Sequence, residues 1–152
     1  LFIGRNEPRK GTPVLKEAFK AVNKLYPETQ LKLFGPGHNP VSSKKLSTEL
    51  FKAHCLVIPS LKEGHPLILF EAWAHKLPVI ATKVGSIPMF VNQDNGYLIS
   101  PDDQGALIRT MKLAYKNPSL SIMGQNGYQL VSSSFTWKKT VNNYYQTFQS
   151  FI

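Results

Sequence analysis

The stretch Cys55–Pro88, CLVIPSLKEGHPLILFEAWAHKLPVIATKVGSIP, decides the fold. It reads as strand, loop, helix and strand. Cys55 to Ile58 is a continuous apolar run stopped by Pro59-Ser60, and Pro78 to Ala81 is a second such run. Between them Pro66 to His75 reads as a helix, with Pro66 suited to the first helical position. Apolar strands joined through a helix are the pattern of parallel strands buried on both faces.

The same alternation continues on either side. Leu1 to Gly4 reads as a strand, and Pro13 to Tyr26 as a helix whose Val14, Leu15, Ala18, Phe19, Val22 and Leu25 share one face. Leu31 to Phe34 is a strand ended by Gly35-Pro36-Gly37. A polar loop then leads to a short helix near Lys44–Ala53. Tyr97 to Ser100 is a further strand, before helices near Asp103–Tyr115, Ser119–Val131 and Trp137–Phe151. The expected fold is α/β, a Rossmann-like three-layer α/β/α arrangement around a parallel sheet, in one domain over residues 1–152. Because the chain opens directly on a strand, we expect a fragment whose N-terminal part is missing.

Composition narrows the function. The 42% apolar and 11% aromatic content is that of a globular chain. The single cysteine, Cys55, excludes an intrachain disulfide, reads as an inert core thiol and points to a cytoplasmic compartment. No apolar run approaches the roughly 18 residues that span a bilayer. Eighteen Lys and Arg against nine Asp and Glu give +9, which favours phosphorylated ligands or an anionic membrane surface. No basic stripe is interleaved with aromatics, so nucleic acid is not an expected partner. His38, His54, His65 and His75 lack metal-ligand spacing, and Ser60 and Ser86 have no His in a suggestive place; neither a metal nor a hydrolase triad is expected. Gly35-Pro36-Gly37 lacks the third glycine of a dinucleotide fingerprint, since position 40 is proline, and reads as a strand-ending turn.

In a parallel α/β sheet, ligands bind at the carboxyl ends of the strands. Those ends carry Gly4–Gly11, Gly35–Gly37, Pro59–Leu67 and Thr82–Pro88. Arg5 and Lys10 flank a loop before a helix, a natural diphosphate clamp. Gly64 lets the chain turn and exposes backbone, while Pro66 leaves Leu67 and Ile68 with free amides at a helix N-terminus. Glu63 stands just before that end. Glu71 lies within an apolar run, so we expect it in a sandwiched helix, where an unpaired carboxylate would cost several kcal/mol. It must then meet either a partner within the protein or the hydroxyls of a ligand.

With these residues placed, the sequence resembles the C-terminal, donor-binding half of a retaining GT-B glycosyltransferase, of the family that includes glycogen and sucrose synthases. GRNEPRKG (Gly4–Gly11) resembles the family's strand-end GR…KG segment, and LKLFGPG (Leu31–Gly37) its G-x-G strand. Cys55–Pro88 matches the most diagnostic block, with Glu63 and Glu71 as its E-x7-E pair. NGYLISPDD (Asn95–Asp103) and FTWKKTVNNYYQTF (Phe135–Phe148) match the closing segments. The resemblance implies that Arg5 and Lys10 bind the diphosphate of a nucleotide-sugar donor and that Glu71 holds the ribose hydroxyls. It also implies that Glu63 is catalytic, facing the donor sugar, with backbone from Gly64, His65, Pro66 and Leu67 beside it.

Neither a cofactor nor an obligatory metal is implied. The partner implied is the chain's own N-terminal domain, which holds the acceptor; without it the fragment is expected to bind donor weakly and transfer nothing. The segment between Gly37 and Lys44 is shorter than is usual in the family, and Met89 stands where glutamate is common after GSIP. Two other readings stay open: a GT-B nucleotide-sugar epimerase, which the Glu63/Glu71 spacing disfavours, and a non-catalytic module that uses its basic surface for a membrane or a partner. The basic charge fits an acceptor of envelope polysaccharide or glycolipid synthesis and peripheral association with the inner face of the membrane.

Overall fold

The apolar runs form the strands and the amphipathic runs cover them. In the computed structural model, residues 1–151 are described, as β1 (Phe2–Ile3), a 3-10 turn (Pro8–Lys10), α1 (Thr12–Leu25), β2 (Leu33–Phe34), α2 (Ser43–Lys52), β3 (Leu56–Ile58), α3 (Leu67–Ala74), β4 (Val79–Thr82), α4 (Ile87–Phe90), β5 (Gly96–Ile99), α5 (Gln104–Lys116), α6 (Leu120–Ser134) and α7 (Trp137–Gln149). The 3-10 turn and α4 fall where the sequence reads as loop.

All strands pair in parallel. Phe2 lies opposite Leu33, Leu56 opposite Val79, and Val79 opposite Gly96. These ladders form a pair, β1-β2, and a triplet, β3-β4-β5. Two hydrogen bonds join them: Leu1 N donates to the Cys55 carbonyl at 2.9 Å, and Val57 N donates to the Leu1 carbonyl at 2.8 Å. The strand order across the molecule is therefore β2-β1-β3-β4-β5. Connections run outward in opposite directions on the two sides of the β1/β3 boundary, which makes that boundary the topological switch point.

Both faces of the sheet are covered, as alternation along the strands requires. Leu56, Ile58, Val79 and Ala81 join a core with Leu50 of α2, and Leu69 and Trp73 of α3. Phe2, Val57, Ile80 and Ile99 join the opposite core with Leu15 and Ala18 of α1 and Leu107 and Ala114 of α5. Burial pushes the Cys55 thiol up to about 12, well away from a reactive thiolate.

Trp73 anchors α3. It is fully buried, its Nε1 donates to the Asn95 carbonyl at 3.2 Å, and its ring lies so close to Gly127 of α6 that a Cβ there would overlap it. Helix α3 is not sandwiched, however. Leu69, Ala72 and Trp73 face inward, whereas Leu67, Glu71 and Ala74 are exposed, Leu67 by 68%. Pro66 is the N-cap residue of α3, one position earlier than the sequence suggests. Helix α7 buries no residue, and its Trp137, Val141, Tyr144 and Phe148 form an exposed stripe.

Replacing Trp73 by alanine removes the largest fully buried side chain and leaves a cavity against Gly127. We expect Trp73→Ala to cost about 3–5 kcal/mol of folding stability, measured by urea denaturation.

Candidate functional site at the switch point

The loops after β1 and β3 are locked together. Gly11, at φ +68°, is packed so tightly on the Pro59 carbonyl that a Cβ would overlap it, and Leu61 N donates to the Arg9 carbonyl at 2.7 Å. This close approach brings the end of the 3-10 turn against the start of the β3 loop. Lys10 Nζ consequently lies 2.6 Å from Glu63 Oε1.

The same Glu63 oxygen accepts a hydrogen bond from Ser60 Oγ at 2.6 Å. Ser60 is itself buried, and its carbonyl accepts from Thr82 Oγ1 at 2.5 Å. The Glu63 side chain is 7% exposed and that of Lys10 19%, so the pair is largely withdrawn from water and shares one dense hydrogen-bond network. Arg5 differs. Its side chain is 68% exposed, and its contact with Glu7 Oε1, at 3.6 Å, is looser than the 2.8 Å pairing of Glu7 Oε2 with Arg9.

A third loop, after β4, closes the rim. Gly85, at φ +54°, packs on the Glu63 and Gly64 carbonyls, and Ser86 N donates to the Gly64 carbonyl at 3.0 Å. Ser86 Oγ lies 3.0 Å from His65 Nδ1, so Ser86 does meet a histidine, contrary to the sequence reading. The His65 ring stacks on Phe70 at 5.0 Å and meets Phe90 edge-on at 5.4 Å. The pairing orients His65; no activating third group is in contact with it among the hydrogen bonds of the described residues.

Helix α3 begins at this rim. Pro66 caps it without a side-chain hydrogen bond, which leaves the first amides directed at the mouth. A Cβ placed on Gly64 would meet nothing within 4 Å, so packing within the chain leaves its backbone approachable. Glu71 is exposed, one turn into α3 from Leu67. The expectation of a buried carboxylate there is corrected: water solvates it, and no internal partner is required.

The structure thus gathers Lys10, Glu63, Gly64, His65, Pro66 and Leu67 around the carboxyl ends of β1, β3 and β4, with Arg5 on the β1 loop and Glu71 on the open face of α3. Sequence reasoning missed the Ser60–Glu63 bond, whose only signal is a hydroxyl three residues before a carboxylate. Among the described residues no three His, Cys, Asp or Glu are gathered where a metal could sit. A cavity of about 740 Å³ opens at the opposite end of the sheet, lined by Leu1, Glu28, Lys52, Cys55 and Tyr115 among others. It holds a Tyr115–Glu28 hydrogen bond and none of the rim residues.

The sequence profile described as Glycosyl transferases group 1 matches residues 1–117. An uncharacterized glycosyltransferase of Methanocaldococcus jannaschii is 29% identical over 163 residues, covering 93% of this chain and 45% of that protein. Among solved structures, the C-terminal domain of a glycosyl transferase group 1 family protein from Francisella tularensis superposes with a TM-score of 0.77 at 25% identity, over 90% of this chain and 85% of that one. Sucrose-phosphate synthase from Thermosynechococcus elongatus superposes with a TM-score of 0.83 at 24% identity, over 98% of this chain and 46% of that one. The chain spans about half the length of the curated relatives it matches.

Removal of the Ser60 hydroxyl takes one of two donors from a nearly buried carboxylate. We expect Ser60→Ala to lower stability by about 1–3 kcal/mol in chemical denaturation, with Ser60→Thr recovering part of the loss.

Proposed function

The chain belongs to the glycosyl transferases group 1 family, and we propose that it supplies the donor-binding half of a retaining glycosyltransferase that moves a sugar from a nucleoside-diphosphate carrier to an acceptor. The observation that supports this reading is the meeting, at the β1/β3 switch point, of Lys10, from the loop that also carries Arg5, with the loop that opens α3, whose first amides have no side-chain cap. Two cations and a row of unpaired amides suit a diphosphate, and a bare Gly64 lets it reach the backbone.

In this reading Arg5 and Lys10 neutralise the diphosphate and stabilise the departing nucleotide as the glycosidic bond breaks. Leu67 and its neighbours offer backbone amides to the phosphate oxygens. Glu71, exposed on the face that begins with Leu67, accepts hydrogen bonds from the ribose hydroxyls. Glu63, at the entrance of α3, faces the sugar near the reacting carbon. The acceptor is held by an N-terminal domain of the same protein, and the apolar stripe of α7 packs against it. The charge of +9 suits anionic headgroups, so peripheral contact with the inner membrane face and an envelope polysaccharide or glycolipid acceptor complete the proposal. Among the described residues no helix is long and apolar enough to cross a membrane.

Calorimetric titration with UDP, GDP and their sugars tests the assignment. One nucleotide series should bind, and Arg5→Ala, Lys10→Ala and Glu71→Ala should each weaken it by about tenfold or more, as expected for lost charge-assisted hydrogen bonds. Binding left intact in all three variants would overturn the site.

A further inference from the structure

The diphosphate clamp contains its own competitor. Of its two cations, Arg5 is exposed and loosely held, whereas Lys10 is nearly withdrawn from water and already neutralised by Glu63 at 2.6 Å. The carboxylate is not there by accident of a flexible surface. It is 7% exposed, bonded to Ser60 Oγ, and Ser60 is fixed in turn by Thr82 Oγ1. An anion that approaches Lys10 therefore meets a charge-neutral pair rather than a free ammonium. Pulling the two charges apart without a replacement would leave each desolvated and unpaired, so only another anion can take Lys10 from Glu63.

We propose that Glu63 is a placeholder for the donor's diphosphate. Before the donor binds, it holds the Lys10 ammonium at the phosphate position, and on binding it yields Lys10 to the diphosphate and turns its carboxylate to the sugar. Ser60 is the positioning residue that retains the carboxylate at the rim after Lys10 has left it. The inference rests on the donor-binding reading and adds a mechanism of selection to it. Because a carboxylate supplies one negative charge and a phosphate monoester is itself close to a dianion near neutral pH, the exchange is graded by ligand charge. It favours nucleoside diphosphates, which bring the most charge, over monophosphates and gives neutral nucleosides nothing.

The test is calorimetry of the 152-residue chain with UDP, UMP and uridine, or the guanosine series if that is the one bound. Wild type is compared with Glu63→Gln, Lys10→Ala and the double variant. Glu63→Gln should bind the diphosphate about tenfold more tightly, since a competing charge a few ångströms from the phosphate has gone. The gain should disappear in the Lys10→Ala background, because it acts through Lys10. If wild type binds the diphosphate but a folded Glu63→Gln binds it no better, the placeholder role is wrong and the donor site stands. If neither binds any nucleotide, the donor site itself is wrong and the inference falls with it. In the unaltered chain, NMR signals of the Lys10 ammonium and the Glu63 carboxyl carbon should both move on UDP addition. A Glu63 signal that stays fixed while Lys10 moves overturns the exchange, whatever the variants do.

Discussion

The close approach of two loops, after β1 and after β3, is the constraint on which the rest of the site depends. A glycine at position 11 is required because any Cβ there would overlap the Pro59 carbonyl, and the left-handed backbone it adopts leads directly into α1. With the backbones held this near, Lys10 and Glu63 fall within hydrogen-bond reach without long side-chain excursions. The ion pair is thus a consequence of the sheet order. It forms where β1 and β3 lie side by side although α1, β2 and α2 separate them in the chain.

Helix α3 divides its work by face and by end. Its inner face and C-terminal half are committed to packing, through Trp73 against Gly127 of α6 and through Leu69 and Ala72 against the sheet. Its N-terminal end is free of that duty: Pro66 begins it, the Gly64 backbone is open, and Gly85 of the next loop presses on the turn before it. Anchorage at one end lets the other present amides in a fixed direction, which is what an anion site needs. Ser86 and the stacked Phe70 hold His65 at the same rim, so this side chain too is oriented by the fold.

Much of this was legible in the sequence, for identifiable reasons. Continuous apolar runs such as Leu56–Ile58 and Val79–Thr82 can be satisfied only by burial on both faces, and they lie where expected. Glycine and proline punctuation placed the loops of the rim. Short elements were not legible: the Pro8–Lys10 turn and α4 are each under one and a half turns, too brief to show a period. The burial of Glu71 was misjudged because LILFEAWA is apolar almost all round, and periodicity cannot say which side of such a helix is covered. The partnership of Lys10 with Glu63, 53 residues apart, depends on strand order, which no local pattern encodes. Ser60 was weighed only as a nucleophile, and its bond to Glu63 was missed because a serine carries no such signal until its burial and its acceptor are known.

The central claim is that ligand recognition occurs at the carboxyl ends of β1, β3 and β4. Mapping of backbone amide shifts by NMR during titration with a nucleoside diphosphate tests it most directly. The account predicts changes concentrated in Gly4–Gly11, Ser60–Leu69 and Val84–Ile87, with the amides of Leu67 and Ile68 among the largest. Changes centred instead on Glu28–Lys32 and Lys52–Cys55, around the cavity at the opposite end of the sheet, would contradict it.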